Sequence, residues 1–532
     1  MSERKEDSFV KGAIILAVSS ILVKVIGAVF RIPLTNLVGD YSMGLYSVAY
    51  RYYSIFLTIA TAGIPIAISK MVSESRALGR GVETKNIFRN AMYICSAIGL
   101  IGAILLFFFC DNLALSTNDI NAAASIKALS PAVFFMAVTA AFRGYFQGHK
   151  NMVPTGVSQI IEAASRLCFG LAFAWILLRG GFAEKYVSVG AISGVTIGTV
   201  LSAGFMLAVY LRNKRTRGEV LGGTQESRKD SELIGALLLI AIPVTIGSLV
   251  MNVTSFVDMF LITNRLASLG YESKTTTSLY GIYESMALPI FNMIPSVIIS
   301  LNTSVTPAIS SAYAVRDMKT LNKTLLSALR IVIIFTLPAA VGITALANPI
   351  LSVLYSSETG IETAAPVLAI LGIASFFLCA SSLTSTAMQA LGYAGIPVLT
   401  MLAGAAVKIA LNYFLIAVPG IELMGASIGT VACYVVIFVL NMICLARIVG
   451  FKPPLAETYL RPMVSSAVMG VAVLLIYKLA SIKFGNLIST FAAIAVGVAV
   501  YAFMMFKTGG ITKEDVLNLP KGEKIASFIY KK

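Results

Sequence analysis

Apolar stretches of bilayer length recur along the whole 532-residue chain, with very little hydrophilic sequence between them. A helix that crosses hydrocarbon needs about 20 residues. At that window the sequence gives fourteen candidate spans, centred near residues 22, 57, 98, 137, 166, 199, 247, 290, 337, 376, 407, 436, 471 and 497. The longest hydrophilic interval runs from about Arg212 to Glu232. A globular domain needs at least ~50 residues, so none fits there. Backbone polar groups in lipid must be satisfied within the segment or by a closed barrel. The spacing therefore predicts an all-α polytopic membrane protein. Its 12% of charged residues stands far below the roughly 25% of a soluble domain. Any chemistry must lie inside the helical bundle or at its rim.

Basic residues then orient the bundle. With the N-terminus in the cytoplasm, 29 of the 41 Lys and Arg residues fall in loops and tails on that side and six on the other. This is the positive-inside asymmetry, and it places both termini in the cytoplasm. The net charge of +16 reads as a topology signal plus contact with anionic lipids. No basic, aromatic-interleaved soluble patch exists to hold nucleic acid. The N-terminal apolar run lacks a small-residue cleavage site and is expected to remain as the first helix. Six scattered cysteines without CxxC spacing read as buried spectators, and one histidine with no acidic cluster makes a metal enzyme improbable.

The remaining six cations lie within spans: Lys24, Arg31, Arg51, Arg166, Lys408 and Lys478. On insertion scales a charge at mid-bilayer costs at least ~2.5–3.5 kcal/mol. Lys24 and Arg31 are seven residues apart, which puts them on nearly one helical face. Arg51 enters the second span at a depth like that of Arg31, while Asp258 and Glu284 lie in the seventh and eighth spans. These charges are expected to converge on a central aqueous space, either as a cationic pocket tuned by acids or as mutual salt bridges. Glu162 and Arg166 form an i,i+4 pair. Arg143 and Lys150, in "RGYFQGHKN", lie at the cytoplasmic end of span 4, either as positive-inside loop residues or as contacts to phosphate headgroups.

The chain also repeats itself. "QGHKNMVPTGVSQIIEAASR", residues 147–166, answers "QALGYAGIPVLTMLAGAAVK", residues 389–408, and "GAISGVTIGTV" from Gly190 answers "GASIGTV" from Gly425. Spans 1–6 and 7–12 thus look like two same-orientation halves with spans 13 and 14 appended. The expected domains are residues 1–232, 233–450 and 451–532. Parallel repeats with substrate sites at their interface are a transporter signature.

Three stretches, "RGYFQGHKNMVPTGVSQIIEAASR", "AGIPIAISKMVSE" and "GASIGTV", carry a family resemblance. The chain resembles the stage V sporulation protein B-like polysaccharide biosynthesis proteins. These belong to the multidrug/oligosaccharidyl-lipid/polysaccharide (MOP) exporter superfamily, with the MurJ-type lipid II flippases. The resemblance implies two six-helix lobes in a V, a cavity lined by spans 1, 2, 7 and 8, and alternating access. It also implies that first- and second-span cations hold a substrate pyrophosphate. Lys24 and Arg31 stand where the first-span cations fall. The second-span arginine position is apolar here, near Phe56 or Leu57, and Glu284 lacks the basic neighbour of the family pattern.

The expected function is thus a flippase for a polyprenyl-pyrophosphate-linked saccharide such as lipid II, binding it through Lys24, Arg31, Arg51, Arg166, Asp258 and Glu284. An ion-coupled drug exporter of the same superfamily is the alternative, as is a flippase for another polysaccharide. Short loops without acidic constellations argue against an enzyme. No cofactor is expected and a coupling ion is left open. The expected partners are the lipid-linked substrate and anionic lipids, with the chain monomeric in the bacterial cytoplasmic membrane.

Overall fold

The structure, a computed structural model, describes residues 2–212 and 227–510. Every regular element among them is a helix. Twelve of the helical stretches are long and apolar enough to cross a membrane, and they match twelve of the fourteen predicted spans. The other two are those near residues 22 and 290. The first is helical, but most of its side chains, Lys24 included, lie outside those described. The second is interrupted, by a π-helical turn at Tyr283–Ala287 and by a turn at Asn292.

Packing divides the chain into two compact units, residues 1–281 and 282–532. The first holds α1 (Ser2–Thr61), α2 (Ile64–Ala77), α3 (Gly81–Phe108), α4 (Cys110–Leu115), α5 (Ala122–Gly148), α6 (Val153–Arg179), α7 (Glu184–Arg212), α8 (Asp230–Ser268) and α9, which starts at Ser273 and ends at Ile282 on the boundary. The compact unit therefore runs past residue 232, where the sequence repeat puts the lobe boundary. Its reason is visible in the core. Leu233, Leu237 and Ala241 of α8 pack with Ala60, Ile64 and Met71 in one buried cluster. At Gly63 the helices approach so closely that a methyl group would overlap the Ala241 carbonyl.

A turn at Gly39 shapes the first unit. Its φ of 76° lies in the left-handed region that glycine adopts without a Cβ penalty. Phe30 and Tyr46 consequently meet with ring centroids 6.3 Å apart. Sixteen residues of unbroken helix would separate them by about 24 Å. So α1 is two spans folded back on each other.

The second unit begins with a π-helical turn, Tyr283–Ala287. It continues through α10 (Leu288–Phe291), α11 (Met293–Ala314), α12 (Met318–Ala345), α13 (Ala347–Leu354), α14 (Glu358–Ala390), α15 (Gly395–Leu415), α16 (Leu423–Val449), α17 (Arg461–Ala480) and α18 (Asn486–Lys507). The last two helices therefore pack with this unit rather than apart from it. Pro289 and Pro295 break the helix around residue 290, because proline lacks the N–H that continues the ladder. The π turn disrupts the helical hydrogen-bond ladder, and the buried Tyr355 hydroxyl donates to the Ser285 carbonyl at 2.9 Å. Of the six cysteines, all free, Cys95, Cys110, Cys379 and Cys433 are buried as expected, whereas Cys168 is exposed.

The internal repeat appears as a shared packing device. In unit 1 a Cβ at Gly198 of α7 would stand 2.8 Å from the Glu162 carbonyl, and in unit 2 a Cβ at Gly429 of α16 would stand 3.2 Å from that of Lys408. Gly198 and Gly429 are equivalent within "IGTV". Lys408 therefore stands at the level of Glu162, one turn from the Arg166 level that the sequence repeat assigns it. Backbone contact between neighbouring helices sets this register, and a gapless string comparison cannot see it.

Candidate functional site: arginines against a tyrosine ladder

Tyr46, Tyr50 and Tyr53 are spaced i, i+4, i+7 on the second span of α1, so they share one helical face. The Tyr46 and Tyr50 rings stack at 6.1 Å with an interplanar angle of 6°, and Tyr50 meets Tyr53 at 5.6 Å. Phe30, from the first span, extends the row. Tyr46 and Tyr53 are buried and Tyr50 is half-buried.

Three guanidinium groups approach this ladder. Arg166 of α6 lies over the Phe30 ring, 5.6 Å from its centroid, and is within electrostatic reach of Tyr50. Arg31 and Arg166 both lie within electrostatic reach of the Tyr46 hydroxyl. Arg143, near the end of α5, donates from Nε to the Ser158 hydroxyl at 3.0 Å and pairs with Glu162 at 3.2 Å. Glu162 therefore forms its ion pair across to α5, while its i,i+4 neighbour Arg166 turns onto the aromatic rings. Glu162, Arg166 and Arg143 all act electrostatically on Tyr53. The Tyr53 hydroxyl and the Arg166 Nε are buried without a hydrogen-bond partner. Such atoms are rare in folded proteins and call for a ligand, water or ion.

The predicted residues thus separate. Arg31 and Arg166 come together at the ladder. Arg51 and Asp258 lie where α1 meets α8, since Tyr52 packs edge-on against Phe256 at 5.4 Å. Asp258 is buried, and Arg51 is half-buried. Glu284 is buried in the π turn of the second unit. Lys24 lies outside the described side chains. Sequence reasoning singled out Arg143 at the end of span 4 but missed its pairing with Glu162, and it missed the tyrosines. The 46/50/53 spacing was the available signal for the tyrosines. For Arg143 no local signal exists, because its partner is 19 residues away on another helix.

What the site offers is guanidinium, hydroxyl and aromatic chemistry. Arginine suits phosphate because its planar fork donates two parallel hydrogen bonds. Among the described residues no group of three His, Cys, Asp or Glu side chains could hold a metal ion. In the second unit a largely apolar groove of about 540 Å³ runs between α12, α17 and α18, lined by residues such as Phe335, Ile343, Val473 and Val498.

Comparison with known proteins agrees with this architecture. The family model described as "Polysaccharide biosynthesis protein" matches residues 9–313, and the MatE model matches residues 243–414. The chain is 25% identical to stage V sporulation protein B of Bacillus subtilis over 97% of its own length and 98% of the relative's. It is 24% identical to lipid II flippase MurJ of the same organism, covering 94% and 96%. A solved structure of lipid II flippase MurJ in an inward closed conformation superposes with a TM-score of 0.69 at 16% identity, covering 92% of this chain and 98% of that one. An inward-facing multidrug resistance MATE family transporter of the MOP superfamily gives 0.65 at 17% identity, covering 82% and 98%. The chain belongs to the polysaccharide biosynthesis protein family, and it is a multi-pass membrane protein with the fold of the MurJ and MATE transporters.

Proposed function

We propose that the protein is a flippase that carries a polyprenyl-pyrophosphate-linked saccharide, lipid II, across the bacterial cytoplasmic membrane. The single observation that carries this reading is the arginine group of the first unit. Arg31, Arg143 and Arg166 gather at the ladder, with Glu162 beside the last two, inside helices that are otherwise apolar. Pyrophosphate is the part of such a substrate least able to enter hydrocarbon, because burying unpaired charge is costly. Guanidinium donors in a partly dry site replace the lost water. The hydroxyls and rings of the tyrosine ladder suit the adjoining sugar. The apolar groove of the second unit offers a surface for the polyprenyl tail. Basic loops put both termini in the cytoplasm, and two repeated lobes would alternate access around the cationic site. A relative named lipid II flippase supports the substrate choice.

The MatE match favours drug export as a second reading, although a cationic site disfavours cationic drugs. Fluorescent lipid II in proteoliposomes tests the first reading. The wild-type protein is expected to translocate it, and Arg31→Ala with Arg166→Ala to lose at least about tenfold of that rate, the equivalent of one charge-assisted hydrogen bond. Unchanged translocation in the double variant would remove the site from the mechanism. Resistance to cationic dyes without lipid II movement would establish the second reading.

A further inference from the structure

Glu162 is the carboxylate that pairs with Arg143, and its surroundings differ from those of a structural salt bridge. Its side chain retains 27% exposure, while Arg143 retains 12%. Arg143 is held independently of it. The guanidinium Nε donates to Ser158 Oγ at 3.0 Å, and that hydroxyl donates onward to the Thr155 carbonyl at 2.7 Å. Arg143 would keep its place if the carboxylate moved away. Glu162 occupies only Nη2 of Arg143, and one turn further along α6 its charge also reaches Arg166. Beside it lie two buried polar atoms without partners, Arg166 Nε and the Tyr53 hydroxyl. The site thus contains one partly exposed carboxylate and two buried polar atoms without a hydrogen-bond partner.

A carboxylate and a phosphate offer arginine the same kind of acceptor oxygen. Resting on the flippase reading above, we propose that Glu162 is the internal counter-ion of an anion-exchange site. Its carboxylate holds Arg143 while the carrier is empty and yields that guanidinium to the phosphate oxygens of an arriving headgroup. When the headgroup leaves, Glu162 returns to Arg143. The exchange matters because a carrier gains from binding that is firm enough to load and weak enough to release, and a resident competitor sets that balance. Arg143 becomes a further phosphate-contacting residue, and Glu162 a positioning residue that acts through it.

The test measures binding of two probes to the full-length protein in nanodiscs: inorganic pyrophosphate and undecaprenyl pyrophosphate. Glu162→Gln keeps the shape and removes the competing charge. It is expected to tighten binding about tenfold, the worth of one charge-assisted contact, and to slow multiple-turnover translocation because release becomes limiting. Glu162→Asp draws the carboxylate one methylene back and is expected to tighten binding by about threefold, a fraction of that contact. It serves the comparison if the glutamine variant does not fold. In an Arg143→Ala background, the tightening by Glu162→Gln is expected to shrink to what its charge exerts on Arg166 alone.

Tightening with the lipid alone supports the exchange and identifies a membrane-borne headgroup as the ligand. Tightening with inorganic pyrophosphate alone supports the exchange and removes the flippase reading. Unchanged or weaker binding of both probes by folded Glu162 variants overturns the inference and leaves the flippase reading standing. Failure of the wild-type protein to bind either probe overturns both.

Discussion

Asp119 ties α9 to the rest of the first unit, and its removal gives a prediction with a definite size. The carboxylate is 2% exposed. Its Oδ1 accepts from the Asn121 amide at 3.0 Å and from the Tyr41 hydroxyl at 3.3 Å, and its Oδ2 accepts from the Thr277 hydroxyl at 2.8 Å. Tyr41 has a second partner in Asn121 Nδ2, so Asp119→Ala leaves it half satisfied. Thr277 is fully buried, and the substitution takes away the acceptor of its hydroxyl. Hydrogen bonds to charged groups are worth about 1.5–3 kcal/mol each. Losing the Thr277 link with part of the Tyr41 link amounts to about 3 kcal/mol on that scale. This loss falls on the local opening of α9, because the link joins α9 to the 116–121 turn. At about 1.4 kcal/mol per decade, backbone amides of residues 273–282 should exchange roughly a hundredfold faster. Peptide-resolved hydrogen exchange reads this directly. Thr277→Val, which removes one hydroxyl but leaves the carboxylate its other partners, is expected to give about a tenfold effect, one hydrogen bond's worth. The opposing force is steric packing. Gly44 lies against the Thr277 carbonyl and Gly281 against the Gly44 backbone. Protection that changes by less than about threefold, well under one hydrogen bond's worth, would show that this glycine crossing holds α9 by itself, and it would refute the polar account.

Two further outcomes follow from local geometry. Gly429→Ala places a methyl group in overlap with Asn412 Oδ1, an atom of a fully buried side chain. It is expected to lower stability by about 1–3 kcal/mol, the usual cost of overpacking, measured as a lower thermal unfolding midpoint in detergent. Asp317 caps α12 by accepting from the Thr320 amide at 3.0 Å, and hydrogen bonding from Thr320 holds its carboxyl below the ordinary value. A depressed folded pKa means that the cap's contribution is complete above the unfolded value, near 3.9. It is lost as the pH falls through the lower folded value. Exchange of the first-turn amides of α12 should therefore stay slow at pH 5 and accelerate only below the ordinary carboxylate range, once corrected for intrinsic rates. Asp317→Asn should remove that dependence.

Membrane spans were the most legible feature of the sequence. A bilayer demands a fixed length of apolar helix, so twelve of the predicted spans coincide with helices of the structure. The span near residue 290 was legible as apolar but not as broken. Hydropathy averages over Pro289 and Pro295, and it carries no sign of a π turn whose Ser285 carbonyl is met by Tyr355, 70 residues away in sequence. Arg31 and Arg166 were legible because a cation in an apolar run is conspicuous at any register. The pairing of Arg143 was not, because a cation at a helix end is common and only tertiary packing turns it toward Glu162. The repeat was legible, but its register was set by glycine contacts between neighbouring helices.

By itself, the sequence determined that this chain is a helical membrane protein, where its helices lie and which cations need an explanation. Those properties follow from transfer energies and helical period, which are local and additive. Tertiary structure alone decided that a turn at Gly39 lays Phe30 beside Tyr46, that α8 completes the first unit, and that Glu162 pairs with Arg143 rather than Arg166. Each depends on which surfaces meet across long stretches of chain, and contact between remote side chains leaves no periodic trace in sequence.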